Sequence, residues 1–203
     1  MVVTHPASIL KTIYPSLVWK IETTKPTVFL TFDDGPTPGV TDRVLEILAK
    51  YNACATFFCL GKNIVNHPTL FSQIIAEKHR IGNHTFNHSN GWKSSTLDFI
   101  EDVKKFEEVH STNLFRPPYG RLRHSQIQYL KKEYKVIMWS SLSMDYHPTT
   151  SKEKVLKLSL KNLQPGSIIV FHDSLKAKDK MLYALENLLI RLDKIGLSTS
   201  LLF

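Results

Sequence analysis

The sequence predicts an α/β fold in which a mostly parallel sheet is covered by helices. Short apolar runs of strand length recur along the chain, for example TVFLTF at 27–32 and SIIVF at 167–171. Between such runs lie segments whose apolar residues recur every three to four positions, as in the helical pattern of residues 41–51. Because the two kinds of segment alternate, the strands are expected to run parallel with the helices outside the sheet.

In the first half of the chain, the apolar patterns predict three strand–helix pairs. The expected elements, in order, are a strand at 27–32, a helix at 41–51, a strand at 55–60, a helix from Pro68, a short element at 81–84 and a helix at 96–110. Pro68 suits the first position of its helix, because the N–H that proline lacks has no partner there. Ser95 is placed to cap the helix that follows it.

In the second half, the pattern continues with shorter strands. The expected elements are a strand at 114–116, a brief helix at 127–130, a strand at 134–139, a helix from Thr150 to Leu163, a strand at 167–171, a helix at 180–194 and a final strand. Thr150 and Glu153 have the spacing of a capping box. The alternation alone leaves two closures open, an open doubly wound sheet and a barrel.

The composition predicts one globular domain over residues 1–203, in which residues 1–26 form a lead-in segment. The chain is 42% hydrophobic and 22% charged, which argues against a disordered or multi-span membrane protein. No apolar run is long enough to span a membrane, and Lys11, Tyr14 and Pro15 interrupt the apolar start where a signal peptide would be continuous. This leaves a cytoplasmic location as the default, with export by a non-obvious route still open.

The net charge of +8 permits binding to an anionic polymer but does not identify one. Lysine and arginine residues are scattered over the predicted helix faces, without a basic tract or an aromatic RNA-binding motif. No nucleic-acid partner is therefore expected. No obligate protein partner is inferred either, and the chain is expected to be a monomer.

Several chemically active side chains follow predicted strands. Asp33 and Asp34 end the first strand, and this pair fits either a turn or a site for acid–base chemistry. His84 and His88 are four residues apart, which fits either two solvated loop histidines or two ligands of one metal. Arg116 precedes two prolines that fix its backbone, and such an arginine can orient a carboxylate.

Two further strands end in polar residues, at Trp139 and at His172. Asp145 comes six residues after Trp139, and Asp173 comes directly after His172. Because the carboxyl ends of parallel strands share one rim, all these side chains are expected to meet there. One aspartate and two histidines fit a metal site with an open position for water. The second aspartate and a further histidine then fit a base and an acid.

The motifs TFDDGP at 31–36, HTFNH at 84–88 and RPPYG at 116–120 occur in this order, followed by the Trp and Asp and by the strand that ends in His-Asp. Together they resemble the polysaccharide deacetylase family, also called the NodB homology domain or carbohydrate esterase family 4. The resemblance covers residues 27–173 directly. It implies an α/β fold that is a distorted (β/α) barrel of about seven parallel strands, and so favours the barrel over the open sheet.

The resemblance also implies a role for each matched residue. Asp34, His84 and His88 would hold a divalent metal, with zinc expected first and cobalt, nickel or manganese as alternatives. Asp33 would be the general base and His172 the general acid.

Three matched residues are implied to support that chemistry. Arg116 would orient Asp33, and Asp145 would pair with His172. The backbone N–H of Tyr119 would stabilise the negative charge that develops on the acyl oxygen.

Four residues are expected to line the substrate site: Pro117, Trp139, Tyr146 and Val170. At two of them the chain departs from the family pattern. Tyr146 stands where the family often has tryptophan, and Val170 stands where it often has leucine. Both keep an apolar wall but change its shape where the methyl group of an acetyl would lie.

The implied enzyme is a metal-dependent hydrolase that acts on carbon–nitrogen bonds other than peptide bonds. It would remove N-acetyl or O-acetyl groups from a glycan, with a polymer or oligomer containing N-acetylglucosamine expected first. Two alternatives remain: an inactive glycan-binding or scaffold domain, and a deacylase of a small non-glycan amide. Residues 1–26 are too few for a carbohydrate-binding module, so the rim loops alone are expected to hold the substrate.

Overall fold

The computed structural model describes Thr4 and residues 12–203. The strands are β1 (Thr27–Asp33), β2 (Ala55–Cys59), β3 (Arg80–Asn83), β4 (Leu114–Phe115), β5 (Lys135–Val136), β6 (Ser141–Leu142), β7 (Ile168–His172) and β8 (Ser198–Thr199). The helices are α1 (Thr41–Lys50), α2 (Gly61–Asn66), α3 (Pro68–Ala76), α4 (Thr96–Glu107), α5 (His124–Leu130), α6 (Lys152–Leu160) and α7 (Lys178–Lys194), with a 3₁₀ turn at Pro118–Gly120. The predicted alternation is present, and the final strand exists as β8.

The ladders that join these strands are all parallel. Seven strands follow the order β5-β4-β3-β2-β1-β7-β6, and β8 pairs with the start of β1. The sheet curls into a distorted half-barrel with helices around it, and the predicted fold class is confirmed.

The chain itself crosses between the two edges of this curled sheet. No ladder joins β5 to β6 in the described part of the chain. Instead, residues 137–140 run from one edge to the other: the N–H of Ile137 donates to Phe115 O beside β5, and the N–H of Ser140 donates to Ile168 O in β7. The predicted strand at 134–139 is therefore shorter, because the chain leaves the ladder to make this crossing.

The two faces of β1 separate packing from chemistry. Val28, Leu30 and Phe32 pack in the cluster under α1 and α7, since alternate residues of a strand face one side. Thr31 and Asp33 lie on the other face and are also buried. The outer face thus holds the helices on the sheet, while the inner face delivers polar groups to the rim.

The lead-in segment packs against the sheet at several points, and Thr4 O accepts from the N–H of Leu142 in β6. Val18 forms a parallel bridge with Ile137, and Leu17 and Trp19 are buried among the side chains of α4 and α5. Residues 1–3 and 5–11 of the predicted lead-in lie outside the described residues. No helix in the described part of the chain is long and apolar enough to cross a membrane.

One local prediction needs correction, another is confirmed, and one short helix lies outside the predictions. This helix, α2, begins at Gly61, and because glycine is unfavourable in helices its start carries no helical signal. The cap of α6 is Ser151, whose hydroxyl accepts from the N–H of Lys154, so the capping box predicted at Thr150 is wrong by one residue. Ser95 caps α4 as predicted, with its hydroxyl accepting from the N–H of Asp98.

Candidate active site

A carboxylate and two imidazoles meet at the carboxyl ends of the strands. One ligand atom each from Asp34, His84 and His88 lies within 4.8 Å of the other two. Oδ1 of Asp34 is 3.2 Å from Nε2 of His88 and 3.8 Å from Nε2 of His84. Within the described residues, this oxygen is buried and makes no hydrogen bond of good geometry. A buried carboxylate oxygen needs one, and this donor set fits a divalent metal ion.

The orientation of His84 favours ligation. Its Nδ1 is 2.8 Å from the carbonyl oxygen of Arg116. Because a carbonyl can only accept, Nδ1 carries the proton and Nε2 presents its lone pair towards Asp34. Burial lowers the pKa of His84 to about 4, so the ring is neutral near pH 7, as a metal ligand must be.

The loop that carries both histidines is fixed from two sides. The N–H of Gly61 donates to Thr85 O at the start of α2, and a Cβ at Gly61 would lie 2.4 Å from the ring of Phe86. On the other side, the carboxylate of Asp102 accepts from the N–H and the side-chain amide of Asn87. The short helix and α4 therefore clamp the loop between them.

The turn that carries Asp34 is held by a second aspartate. Asp34 has a φ of 87°, which aims its carboxylate away from the strand direction. The N–H of Gly35 donates to Oδ1 of Asp173 at 3.0 Å, and the Thr41 hydroxyl donates to Oδ2 at 2.5 Å. A Cβ at Gly35 would lie 1.9 Å from Asp173 Oδ2, so the turn requires glycine there. Burial raises the pKa of Asp173 to about 8.

Arg116 braces Asp33 across the inside of the barrel. The guanidinium is fully buried and donates to Oδ1 of Asp33 at 2.7 Å and to the Thr31 hydroxyl at 2.7 Å. Its other nitrogens donate to the main-chain carbonyls of Ile137 and Met138, and the centre of the Phe58 ring lies 4.2 Å away. The predicted orienting arginine thus contacts the carboxylate it was expected to orient.

His172 is paired with a fully buried carboxylate. Its Nδ1 is 2.8 Å from Oδ1 of Asp145, and its backbone N–H donates to Oδ2 of the same residue. Asp145 also accepts from the N–H of Tyr146. Burial acts to lower the pKa of His172, but the negative charge of Asp145 and its hydrogen bond outweigh burial and raise it to about 9. Nε2 is left as the nitrogen that exchanges a proton.

A cavity of about 620 Å³ connects these groups. All four residues predicted to line the substrate site are in its wall: Pro117, Trp139, Tyr146 and Val170. Tyr14, Leu17 and Trp19 line it as well. The lead-in segment therefore forms part of the cavity wall together with the rim loops.

Tyr119 lies at the mouth of the cavity, on the 3₁₀ turn. Its φ of 61° turns its backbone at this point, and its ring lies 4.6 Å from that of His88. The rings of Tyr119 and Trp92 are both more than half exposed there. The mouth thus offers aromatic faces on which a sugar ring can stack.

Sequence reasoning missed three residues that support the site. Asp173 was visible in the His-Asp motif but received no role. Asp102 lies among the apolar residues of α4, which is the pattern of a buried polar group with a partner elsewhere. Lys176 carries no sequence signal beyond its position after β7, yet its Nζ lies 3.7 Å from Oδ2 of Asp34.

Comparison with known proteins places the chain among carbohydrate deacetylases. A peptidoglycan-N-acetylglucosamine deacetylase from Bacillus cereus is 33% identical over 192 residues, which cover 89% of this chain and 88% of the relative. A chitooligosaccharide deacetylase from Azorhizobium caulinodans is 32% identical over 162 residues, covering 76% of this chain and 77% of the relative.

The fold comparison agrees with the sequence comparison. The crystal structure of a peptidoglycan N-acetylglucosamine deacetylase bound to a naphthyl-substituted N-hydroxybenzamide matches with a TM-score of 0.88 and 28% identity. The match covers 95% of this chain and 94% of that one. The family model for polysaccharide deacetylases matches residues 20–136, more than half of the chain. The chain therefore belongs to the polysaccharide deacetylase family, as its motifs predicted.

Proposed function

We propose that this protein removes N-acetyl groups from a glycan that contains N-acetylglucosamine. The observation that carries the proposal is the meeting, in one cavity, of the Asp34–His84–His88 cluster with Asp33 and His172. The relatives named for peptidoglycan and for chitooligosaccharides support a glycan with this sugar.

The candidate ligands are Asp34, His84 and His88, and zinc is the metal we expect first. Two imidazoles and one carboxylate are a common donor set for catalytic zinc and leave a position for water. Cobalt, nickel and manganese accept similar ligands. A divalent ion held there supplies a Lewis acid for the acyl carbonyl and lowers the pKa of a water molecule.

Asp33 is proposed as the general base. Arg116 fixes one oxygen of its carboxylate by a hydrogen bond of 2.7 Å. The other oxygen is free to accept the proton of the water that attacks the acyl carbon. The burial of Arg116 excludes bulk water from this pair, so Asp33 stays oriented without competition from solvent.

His172 is proposed as the general acid. Asp145 holds the ring through Nδ1, so Nε2 carries the proton that the leaving amine requires. The N–H of Tyr119 is proposed to donate to the acyl oxygen as charge develops on it. Because an amine leaves poorly as an anion, the proton on His172 is needed for the carbon–nitrogen bond to break.

The cavity wall is proposed to select the acyl group. Tyr146 and Val170 bring apolar surface beside His172, where the acetyl methyl group would lie. Pro117 and Trp139 extend this wall towards the mouth. The exposed ring of Trp92 then offers a face for a neighbouring sugar.

Acetate release from a panel of substrates tests the proposal. The panel contains N-acetylglucosamine oligomers, peptidoglycan glycan strands, acetylxylan and a small acetylated amine, each with and without a chelator. We expect release from the glycans with N-acetyl groups, its loss with the chelator and its return when zinc is added back. Release only from the small amine would favour a non-glycan deacylase, and no release with any metal would favour an inactive scaffold.

A further inference from the structure

Asp34 has contacts of different kinds at its two carboxylate oxygens. Oδ1 faces the imidazoles of His84 and His88, while Nζ of Lys176 lies 3.7 Å from Oδ2. Among the lysines and arginines that the structure describes, Lys176 alone comes within 4.0 Å of this carboxylate. A protein cation and the candidate metal position therefore lie on opposite oxygens of one carboxylate.

The two neighbouring aspartates thus each have a positively charged partner. Asp33 has Arg116, which is fully buried and held by several hydrogen bonds. Asp34 has Lys176, whose side chain is 57% exposed. Arg116 is therefore fixed inside the barrel, whereas the side chain of Lys176 can move away from Asp34.

The loop that carries Lys176 is anchored, but the side chain has room to move. Ala177 is buried beside it, and its N–H donates to Ser174 O. Nζ of Lys176 also lies 5.6 Å from the centre of the Tyr146 ring, whose face is a second favourable place for an ammonium group. A lysine stem changes rotamer without backbone movement, so the ammonium group can shift from Asp34 towards Tyr146.

We propose that Lys176 is an internal counter-ion that competes with the divalent metal for Asp34 and so weakens metal binding. The inference rests on the proposed function only in using the same metal ligands. The ammonium group stabilises Asp34 while no metal is bound. A divalent cation on Oδ1 neutralises the carboxylate and repels the ammonium group, which moves towards the Tyr146 ring. The measured metal affinity is therefore lowered by the free energy of the lost contact between Lys176 and Asp34.

The expected effect is moderate, because Lys176 is exposed and solvent screens its charge. Replacing it by an uncharged residue should tighten metal binding by about tenfold. An interaction between two single charges at the surface is weak, and the double charge of the metal ion roughly doubles its interaction with the ammonium group. The difference should shrink as salt is raised to about 0.5 M, where the screening length falls below about 5 Å.

The test compares zinc dissociation constants of the metal-depleted wild type and Lys176→Met, measured by competition with a chromophoric chelator. Lys178→Met is the matched control, because Lys178 is two residues away and forms no ion pair with Asp34 in the described part of the chain. Lys176→Met should bind zinc about tenfold more tightly than wild type. Lys178→Met and Lys176→Arg should bind within about twofold of wild type.

Equal or weaker zinc binding by Lys176→Met would overturn the inference. An equal gain in Lys178→Met would also overturn it, because the effect would then be one of net charge. The variant Asp34→Asn separates this inference from the proposed function. If wild type binds zinc and Asp34→Asn does not, the metal site stands and the three lysine variants decide. If wild type binds no divalent metal, both the inference and the metal-dependent function fail.

Discussion

The proposed acid–base half of the site, at Asp33 and His172, and the proposed metal half, at Asp34, His84 and His88, are built in different ways. Asp33 and His172 are partners in register on the adjacent strands β1 and β7, so the sheet itself brings them side by side. Asp34 and His88 instead lie in loops where the backbone turns to positive φ, at 87° and 65°. Strand register places the first pair, while bent loops aim the second at a common point.

The two halves also differ in how their charges are compensated. Asp33 and His172 are each bonded to a fully buried partner, Arg116 or Asp145. Asp34 has a buried oxygen without a hydrogen bond and an exposed lysine as its cation. The acid–base half therefore has its partners within the chain, whereas the metal half leaves a carboxylate oxygen for the proposed metal. Substitutions in the first should affect folding, and substitutions in the second should affect metal binding.

The largest effect is expected from Arg116→Met. It leaves Asp33 buried without its charged partner, so the free energy of unfolding should fall by about 3–5 kcal/mol. Urea denaturation measures this change, and acetate release should fall by at least about 100-fold. Arg116→Lys keeps the charge but not the planar set of donors, and should recover part of the stability. An unchanged urea midpoint in both variants would contradict the bracing role of Arg116.

The contrasting variant in the metal half is Asp34→Asn. Its zinc dissociation constant should rise by at least about 100-fold, because a charged ligand is replaced by a weak one. The stability of the metal-free protein should fall by less than in Arg116→Met, because the lysine beside Asp34 is exposed whereas Arg116 is fully buried. Calorimetry with zinc and urea denaturation in chelator measure the two quantities. A large loss of metal-free stability would mean that the two halves are not distinct.

The pair of His172 and Asp145 predicts a pH dependence of stability. The pKa of His172 is about 9 in the folded protein against 6.5 for the free side chain. Since the folded state holds the proton more tightly, the stabilisation is complete below about pH 6.5 and is lost as the pH rises through about 9. Its upper limit is about 3 kcal/mol.

Urea denaturation of the metal-free protein between about pH 6 and pH 10 measures this effect. The stability difference between wild type and His172→Gln should shrink over that range, because the variant lacks the titrating ring. A difference that stays constant with pH would show that the ring does not carry the extra proton.

The smallest effect is expected from the lead-in segment. Tyr14→Ala removes an aromatic wall from the cavity without touching the reacting groups. KM for an N-acetylglucosamine oligomer should rise by about threefold to tenfold while kcat stays within about twofold. Ile13→Ala is the matched control, because Ile13 is exposed and does not line the cavity. Equal KM values in all three proteins would remove the lead-in segment from the substrate site.

The sequence predicts the strand-end residues well because strand position and side-chain chemistry are both local signals. Asp33 ends an apolar run, and His172 ends another, so a parallel sheet must bring them to the same rim. The closure into a curled barrel was predicted only by the family resemblance and not by the strand pattern. It depends on residues 137–140 crossing between sheet edges, and no local pattern records that long-range pairing.

The supporting contacts could not be predicted for the same reason. Asp102 and Asp173 act on loops that are distant in the chain, and Leu17 reaches the cavity only because Val18 pairs with Ile137. The cap of α6 shows the limit of local patterns as well. Thr150 matches the capping motif, yet its neighbour Ser151 has the extended backbone that lets its hydroxyl reach the helix.

The most direct test of the account is to measure zinc content and acetate release on the same samples of wild type and Asp33→Asn. Asp33 and Asp34 are neighbours in the chain but have separate proposed roles. Asp33→Asn should retain zinc as wild type does and release acetate from an N-acetylglucosamine oligomer at least about 100-fold more slowly. Wild-type rates in Asp33→Asn, or loss of zinc from Asp33→Asn that is still folded by circular dichroism, would contradict the assignment of Asp33 as the base beside a metal held by Asp34.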